Sequence, residues 1–185
     1  MSATGPGQSL LLLLDVVALL DEQGIEYGVV GALAASVYGT VRATTDADAL
    51  VSVSPSRLSG LEKKLRKAGL TAKLHRGESD DPIPALLAIS DRYGNRADLL
   101  GGLRGLDPAA FGRTLGVPFS GTILRIIGRE DFIAMKCFAG GPQDIADAQE
   151  AIGAADSPVD LDLVRRVTRR FGRPAADALE RLLAG

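Results

Sequence analysis

Two aspartates one residue apart, Asp46 and Asp48, open the apolar run Ala47 to Val53, and the two-residue period of a strand puts both carboxylates on one face. Side by side, such groups resist joint ionisation unless water solvates them or a cation neutralises them. A third carboxylate on a neighbouring strand would complete an oxygen-rich site, and Asp98, inside the predicted strand Arg96 to Leu100, is the candidate. Magnesium suits three such ligands: few protein oxygens leave room for water and for substrate phosphates, the arrangement of metal-assisted phosphoryl transfer. Upstream, Val30-Gly31-Ala32 passes from a strand into a short helix, a turn that offers backbone N–H groups to an anion. Coupled to the carboxylate pair, that turn would hold a triphosphate while the pair holds the metal bridging it.

Composition narrows the chemistry further. The 185 residues are 46% hydrophobic and 24% charged, 21 basic against 23 acidic, as in one globular domain whose core needs neither disulfides nor a structural metal. One cysteine, Cys137, and one histidine, His75, exclude a Cys/His zinc site, an iron–sulfur cluster and a disulfide framework within the chain, so any metal must be held by carboxylates. A Ser-His-Asp or Cys-His site would need His75, which stands in a polar stretch without a nucleophile motif. The net charge of -2 gives no global attraction to nucleic acid or to anionic membrane. A lone thiol without a disulfide framework points to a reducing cytoplasm, and Cys137 itself reads as a small core residue.

The elements that must position these residues follow from periodicity and punctuation. Leu10 to Leu20 is apolar at ten of eleven positions. A bilayer span needs about 20 apolar residues and a signal peptide needs a basic start, and this segment has neither. It reads as a buried helix over 9–23, the alternative being a self-association surface for a homodimer. Strands are expected at Glu26 to Val30, Ala47 to Val53, Thr71 to Leu74, Ala85 to Ser90, Arg96 to Leu100, Leu115 to Phe119 and Thr122 to Ile127, with a hairpin turn at Asp91 to Asn95. Helices are expected at Ala32 to Tyr38, from the cap Ser54 to the stop Gly69, and at Asp131 to Ala139, Gln143 to Ile152, Asp160 to Phe171 and Pro174 to Leu183. Strands early and helices late give an α+β domain, with a core over 1–153 and a helical C-terminal extension, 154–185, packed on it.

The succession of a strand, Gly31, a short helix ending Val37-Tyr38-Gly39, and Arg42-Ala43-Thr44-Thr45-Asp46-Ala47-Asp48 entering an apolar strand resembles the nucleotidyltransferase superfamily. Within it the pattern is most similar to the minimal, abortive-infection (AbiEii) type of bacterial toxin–antitoxin pairs. The strand aspartate in Arg96-Ala97-Asp98-Leu99-Leu100 extends the resemblance, as do Asp131-Phe132-Ile133-Ala134-Met135-Lys136 and Gln143-Asp144-Ile145-Ala146-Asp147. It implies a mixed sheet flanked by helices and the Mg²⁺-dependent transfer of a nucleoside monophosphate from an NTP to an acceptor hydroxyl. The implied acceptor is an RNA or tRNA end or a protein side chain, with a cognate antitoxin as partner, and the alternative enzyme reading is transfer to a small antibiotic. Asp46 and Asp48 would hold the triphosphate metal, and Asp98 would join them around a second metal and accept the acceptor's proton. Lys136 would contact phosphate, Gly31 and Ala32 would form the triphosphate turn, and Arg42 and Thr45 would stand at the cleft mouth. Asp144 and Asp147, three apart on one helical face, would position Lys136 or the nucleotide. The chain departs from the family at the turn, where Gly31-Ala32 replaces the usual Gly-Gly or Gly-Ser; a catalytically silent, nucleotide- or partner-binding member is the rival reading.

Each residue also has a plainer role open to it. Asp46 could cap a turn, Asp98 could pair with Arg96, Lys136 could be a surface lysine, and Asp144 and Asp147 a solvated helix start. Arg165, Arg166, Arg169, Arg170 and Arg173 form a stripe opposite Leu161, Val164, Val167 and Phe171. That stripe suits RNA phosphates or an acidic partner, or is a solvated face.

Overall fold

The computed structural model describes residues 2–41, 44–154 and 158–184. Seven strands form one sheet: β1 (Tyr27–Val29), β2 (Asp46–Val51), β3 (Thr71–Arg76), β4 (Ala85–Ser90), β5 (Arg96–Gly101), β6 (Leu115–Phe119) and β7 (Thr122–Ile126). Their spatial order is β3-β4-β5-β2-β1-β7-β6. β2 runs parallel to β5 and β1 parallel to β7, the other neighbours being antiparallel, so the sheet is mixed and the α+β expectation holds. β3 continues to Arg76, two residues beyond the strand expected at Thr71 to Leu74, and carries His75 onto the sheet.

Alternation sorts the sheet into two faces. Ala47, Ala49, Ala97, Leu99, Leu87, Ile89 and Ala72 are all nearly inaccessible. They are covered by α1 (Ser9–Glu22) and α3 (Pro55–Lys67), which bury Leu12, Leu13, Val16, Val17 and Leu20, and Leu58, Leu61 and Leu65. The leucine-rich first helix is thus a core helix: of residues 10–20 only Ala18 is exposed. Ser54, expected to cap α3 through its hydroxyl, makes no such bond and instead lies 2.9 Å from the Ser56 hydroxyl. No helix among the described residues is long and apolar enough to cross a membrane.

On the other face, α2 (Gly31–Val37) packs on β2, and α4 (Arg129–Ala139) lines one cavity with Gly31, Asp48 and Leu100 through Phe132, Met135 and Lys136. The start of α4 is anchored by a device that periodicity does not reveal. The Arg113 guanidinium donates to both oxygens of buried Asp131, at 2.8 and 2.7 Å, and reaches Asp107 at 3.1 Å. Arg113 ends a 3₁₀ turn, Pro108–Arg113, in a stretch the sequence leaves without an element. The Tyr38 hydroxyl donates to the Ile127 carbonyl and its ring packs 5.3 Å from that of Phe132, which ties α2 to the same point.

α5 (Pro142–Gly153), α6 (Leu161–Arg169) and α7 (Arg173–Ala184) gather around α4. Asp160 caps α6, accepting from the Leu163 N–H at 2.9 Å, while Val164, Val167 and Thr168 bury its inner side. α6 stops at Arg169, two residues short of the expected Phe171, and the arginine stripe does not survive as a unit. Arg165 pairs with Glu180 at 2.8 Å, Arg173 with Asp177 at 3.7 Å, and Arg170 donates to the carbonyls of Gly105 and Leu106 at 3.2 and 3.3 Å. Arg166 and Arg169 remain exposed.

Candidate active site

The parallel pairing of β2 with β5 sets Asp48 directly beside Asp98 and Asp46 beside Arg96. Directly paired residues share a face, so Asp46, Asp48 and Asp98 stand together on the face that α1 and α3 do not cover. Two buried polar side chains hold the ends of these strands, and the sequence gives no signal for either. The Ser9 hydroxyl donates to the Thr45 carbonyl at 2.7 Å and accepts from the Arg96 N–H at 3.1 Å, joining the starts of β2 and β5. Asn95 accepts from the Gln8 N–H at 2.7 Å and donates to the Gly5 carbonyl at 2.9 Å and to Asp91 at 2.7 Å. The two side chains fix the first turn of α1 against the β4–β5 turn.

Asp48 lies deepest of the three. Burial, reinforced by the charges of Asp46 and Asp98 and opposed by Lys136, pushes its carboxyl up to about 6. Asp98 is raised as well, by burial and by Asp46, against the opposing charges of Arg96 and His75. Gly31 is required here: its φ is +65°, and a Cβ would sit 2.5 Å from Asp48 Oδ2. A side chain at this position would meet both the steric penalty of left-handed backbone and the carboxylate itself.

Lys136 enters from α4. Its ammonium lies 2.7 Å from Asp144 Oδ1 and 2.8 Å from Asp147 Oδ2, and 5.5 Å from the centre of the Phe132 ring. Gln143 donates to the other Asp147 oxygen at 2.9 Å, so the carboxylate that holds the lysine is itself held. Gly31, Asp48, Phe132, Lys136 and Asp144 line one cavity of 190 Å³. The expected positioning of Lys136 by the two α5 aspartates is therefore present, and the plain surface-lysine reading is not, since the side chain is only 12% exposed.

The remaining expected residues are placed as follows. Ala32 occupies the first turn of α2, where its carbonyl accepts from the Ser36 hydroxyl at 2.9 Å. Thr45 is exposed and takes part through its carbonyl bond to Ser9. Arg42 lies outside the described residues. Asp98 makes no ion pair with Arg96 among the described residues. Cys137 is a buried core residue, its thiol pushed up to about 11 by burial.

The donor set fits a hard divalent cation by its chemistry. It is all oxygen, and Asp48 is destabilised as an anion by burial and by its two neighbours, the condition that a bound cation relieves. Among the described residues no three carboxylate, imidazole or thiol groups already converge on one point. Asp46 instead turns one oxygen to the Thr44 hydroxyl, at 2.8 Å.

No protein-family model matches the chain, and no curated protein matches it. Solved structures do. An antigenic nucleotidyltransferase-like protein from Paracoccidioides brasiliensis superposes with a TM-score of 0.62 at 17% identity, over 98% of this chain and 90% of that one. ANT(2")-Ia in complex with adenylyl-2"-tobramycin gives a TM-score of 0.59 at 17% identity, over 86% and 94%. The lincosamide antibiotic adenylyltransferase LnuA, lincomycin-bound, gives 0.51 at 14% identity, over 83% and 100%. The seven-stranded mixed sheet with its flanking helices is a nucleotidyltransferase-like fold.

Proposed function

We propose that the protein transfers a nucleoside monophosphate from an NTP to an acceptor hydroxyl, with release of pyrophosphate, in a Mg²⁺-dependent reaction. The observation that carries this reading is the register that sets Asp48 beside Asp98, with Asp46 on the same face and the Gly31 backbone against the Asp48 carboxylate. Asp46, Asp48 and Asp98 would hold the metal, which supplies charge neutralisation for the triphosphate and for the attacking oxygen. Asp98, its carboxyl raised by burial, is suited to take the acceptor's proton as the new O–P bond forms and the bond from the α-phosphorus to the pyrophosphate oxygen breaks. Lys136 would offset the charge gathering on the phosphates, kept in place by Asp144 and Asp147. The turn at Gly31 and Ala32 would receive the triphosphate, and the toxin role extends the reading on the resemblance of the segment Arg42 to Asp48.

Incubation with α-labelled NTPs and either bulk RNA, cell protein or an antibiotic tests this. The wild type should transfer label to one of them, and an Asp46→Asn, Asp48→Asn double variant should be slower by about 10³-fold, the scale of removing metal-borne charge stabilisation. One observation favours a rival: Lys136 already has two carboxylate partners, as it would in a silent binding member. Calorimetry separates the two readings, since the silent member binds Mg·NTP without turnover. Label transfer that ignores both aspartates would overturn the enzyme reading.

A further inference from the structure

Ser9, the first residue of α1, is only 6% exposed, and its hydroxyl bonds to two other elements. It donates to the Thr45 carbonyl at 2.7 Å and accepts from the Arg96 N–H at 3.1 Å. Thr45 immediately precedes Asp46, and Arg96 is the partner of Asp46 in the parallel register. The hydroxyl therefore bridges β2 and β5 where their pairing begins, beside Asp46 and close to Asp98. It does so from the side of the sheet that α1 covers, opposite the carboxylates, so it touches backbone and not a ligand. The bridge is itself braced. The Gln8 N–H donates to Asn95 at 2.7 Å, and Asn95, also buried, is the residue before Arg96. Asp91 accepts from the Asn95 side chain at 2.7 Å and from its backbone N–H at 3.0 Å. The start of α1 and the start of β5 are thus tied together beside the hydroxyl.

Resting on the reading above, we infer that Ser9 is a positioning residue for the metal: its hydroxyl holds β2 and β5 at the separation from which Asp46, Asp48 and Asp98 can meet one small divalent cation. On the far side of the sheet the carboxylates are not yet gathered. Asp46 turns to the Thr44 hydroxyl, and among the described residues no three ligand groups converge. The side chains can rotate toward a cation, but the spacing of the two backbones from which they rotate is set by the bridge. Removing the hydroxyl leaves the Thr45 carbonyl and the Arg96 N–H to find water or each other, because buried backbone groups do not stay unpaired. The strand starts then shift. Mg²⁺ requires near-ideal octahedral geometry with oxygens at about 2.0–2.1 Å, whereas Ca²⁺ accepts more oxygens, at about 2.3–2.6 Å, in flexible arrangements. The loss of Ser9 therefore falls on Mg²⁺ in preference to Ca²⁺, a discrimination that a general loosening of the fold does not produce.

Binding of Mn²⁺ alone to the full chain, followed by electron paramagnetic resonance with Mg²⁺ or Ca²⁺ as competitor, tests the proposal. In S9A the Mg²⁺ dissociation constant should rise by about fivefold or more while that of Ca²⁺ stays within about twofold of wild type. S9T, which keeps the hydroxyl, should return the Mg²⁺ constant to within about twofold. N95A, which frees the Gln8 N–H and leaves Ser9 in place, should weaken Mg²⁺ in the same sense by a smaller factor. Thermal melts of each variant check the fold, and if S9A lacks a cooperative melt the N95A result decides. Equal losses of Mg²⁺ and Ca²⁺ affinity overturn the positioning role, as does an unchanged Mg²⁺ constant in S9A or N95A. The two readings fail separately. Wild type and S9A that bind Mg²⁺ alike would remove the role of Ser9 and leave the transferase, whereas the expected selectivity without any label transfer would keep Ser9 and remove the transferase.

Discussion

Charge is arranged on opposite terms in two regions of the molecule. On the sheet face the aspartates are crowded and like-signed: Asp48 is pushed up to about 6 beside Asp46 and Asp98, the Gly31 backbone is pressed against it, and the nearby cations of Lys73 and Arg96 have no ion-pair partner among the described residues. On the C-terminal helices opposite charges are already matched, Arg165 with Glu180 and Arg173 with Asp177, and Arg170 satisfies two loop carbonyls. Exposed matched pairs contribute little and ask nothing of a ligand. Crowded, unmatched charges are unfavourable in the free protein and become favourable only with a partner of complementary charge, which is where function is to be sought. The C-terminal helices do serve the site, but through packing: they hold α4, and α4 carries Lys136.

Relieving or worsening the crowding should show which region carries the strain. The largest effect is expected from Gly31→Ala, which adds a Cβ 2.5 Å from Asp48 Oδ2 on left-handed backbone. Urea unfolding should show a loss of about 2–3 kcal/mol. A loss below about 0.5 kcal/mol would mean that the close approach relaxes freely and the crowding is not structural. Next comes Asp48→Asn in metal-free protein. Because the folded-state carboxyl lies above its ordinary value of 3.8, the native state binds this proton more tightly than the unfolded state does. Stability therefore falls as pH rises from about 4 to about 6, and the deficit persists above that window. The variant should lack this fall and be more stable than wild type at pH 7 by about 1–2 kcal/mol, the full shift being discounted for the water that still reaches the carboxyl. Parallel melting curves of the two proteins from pH 4 to 8 check the sign. The smallest effect is expected from Arg165→Gln, which breaks only the exposed pair with Glu180 and should leave the melting temperature within measurement error. A fall of many degrees would show that the matched region, and not the crowded one, holds the fold.

Much of the frame is legible in the chain. The two-residue period around Asp46 and Asp48 follows from strand geometry, and the three-residue spacing of Asp144 and Asp147 predicts that both reach the same target, which is Lys136. The leucine-rich first helix is buried, as its apolar circumference implies. What escapes is contact between segments distant in sequence. Ser9, Asn95 and the Arg113–Asp131 clamp are ordinary polar residues that each reach a partner 18 to 90 positions away. The arginine stripe misleads for the same reason. Helical periodicity correctly places its members on one side, but nothing local records that Glu180 and the Gly105 and Leu106 carbonyls will meet them.

The sequence by itself determined the chemistry available to this protein. One histidine and one cysteine leave carboxylates as the only side chains numerous enough to hold a metal, and backbone periodicity puts Asp46 and Asp48 on one face whatever packs around them. The chain already offers Asp98 as the candidate third carboxylate, but only the tertiary structure decided that it stands beside Asp48 and which cations stand nearby. That Asp98 pairs with Asp48, and that Lys73 falls in the same row two strands further out, depends on the crossing of β2 to β5 and on the register of β3, β4 and β5. A one-residue slip would turn the buried alanines and leucines to solvent, so the apolar face fixes the register. The core that α1 and α3 bury against one side of the sheet thereby sets the arrangement of charges on the other.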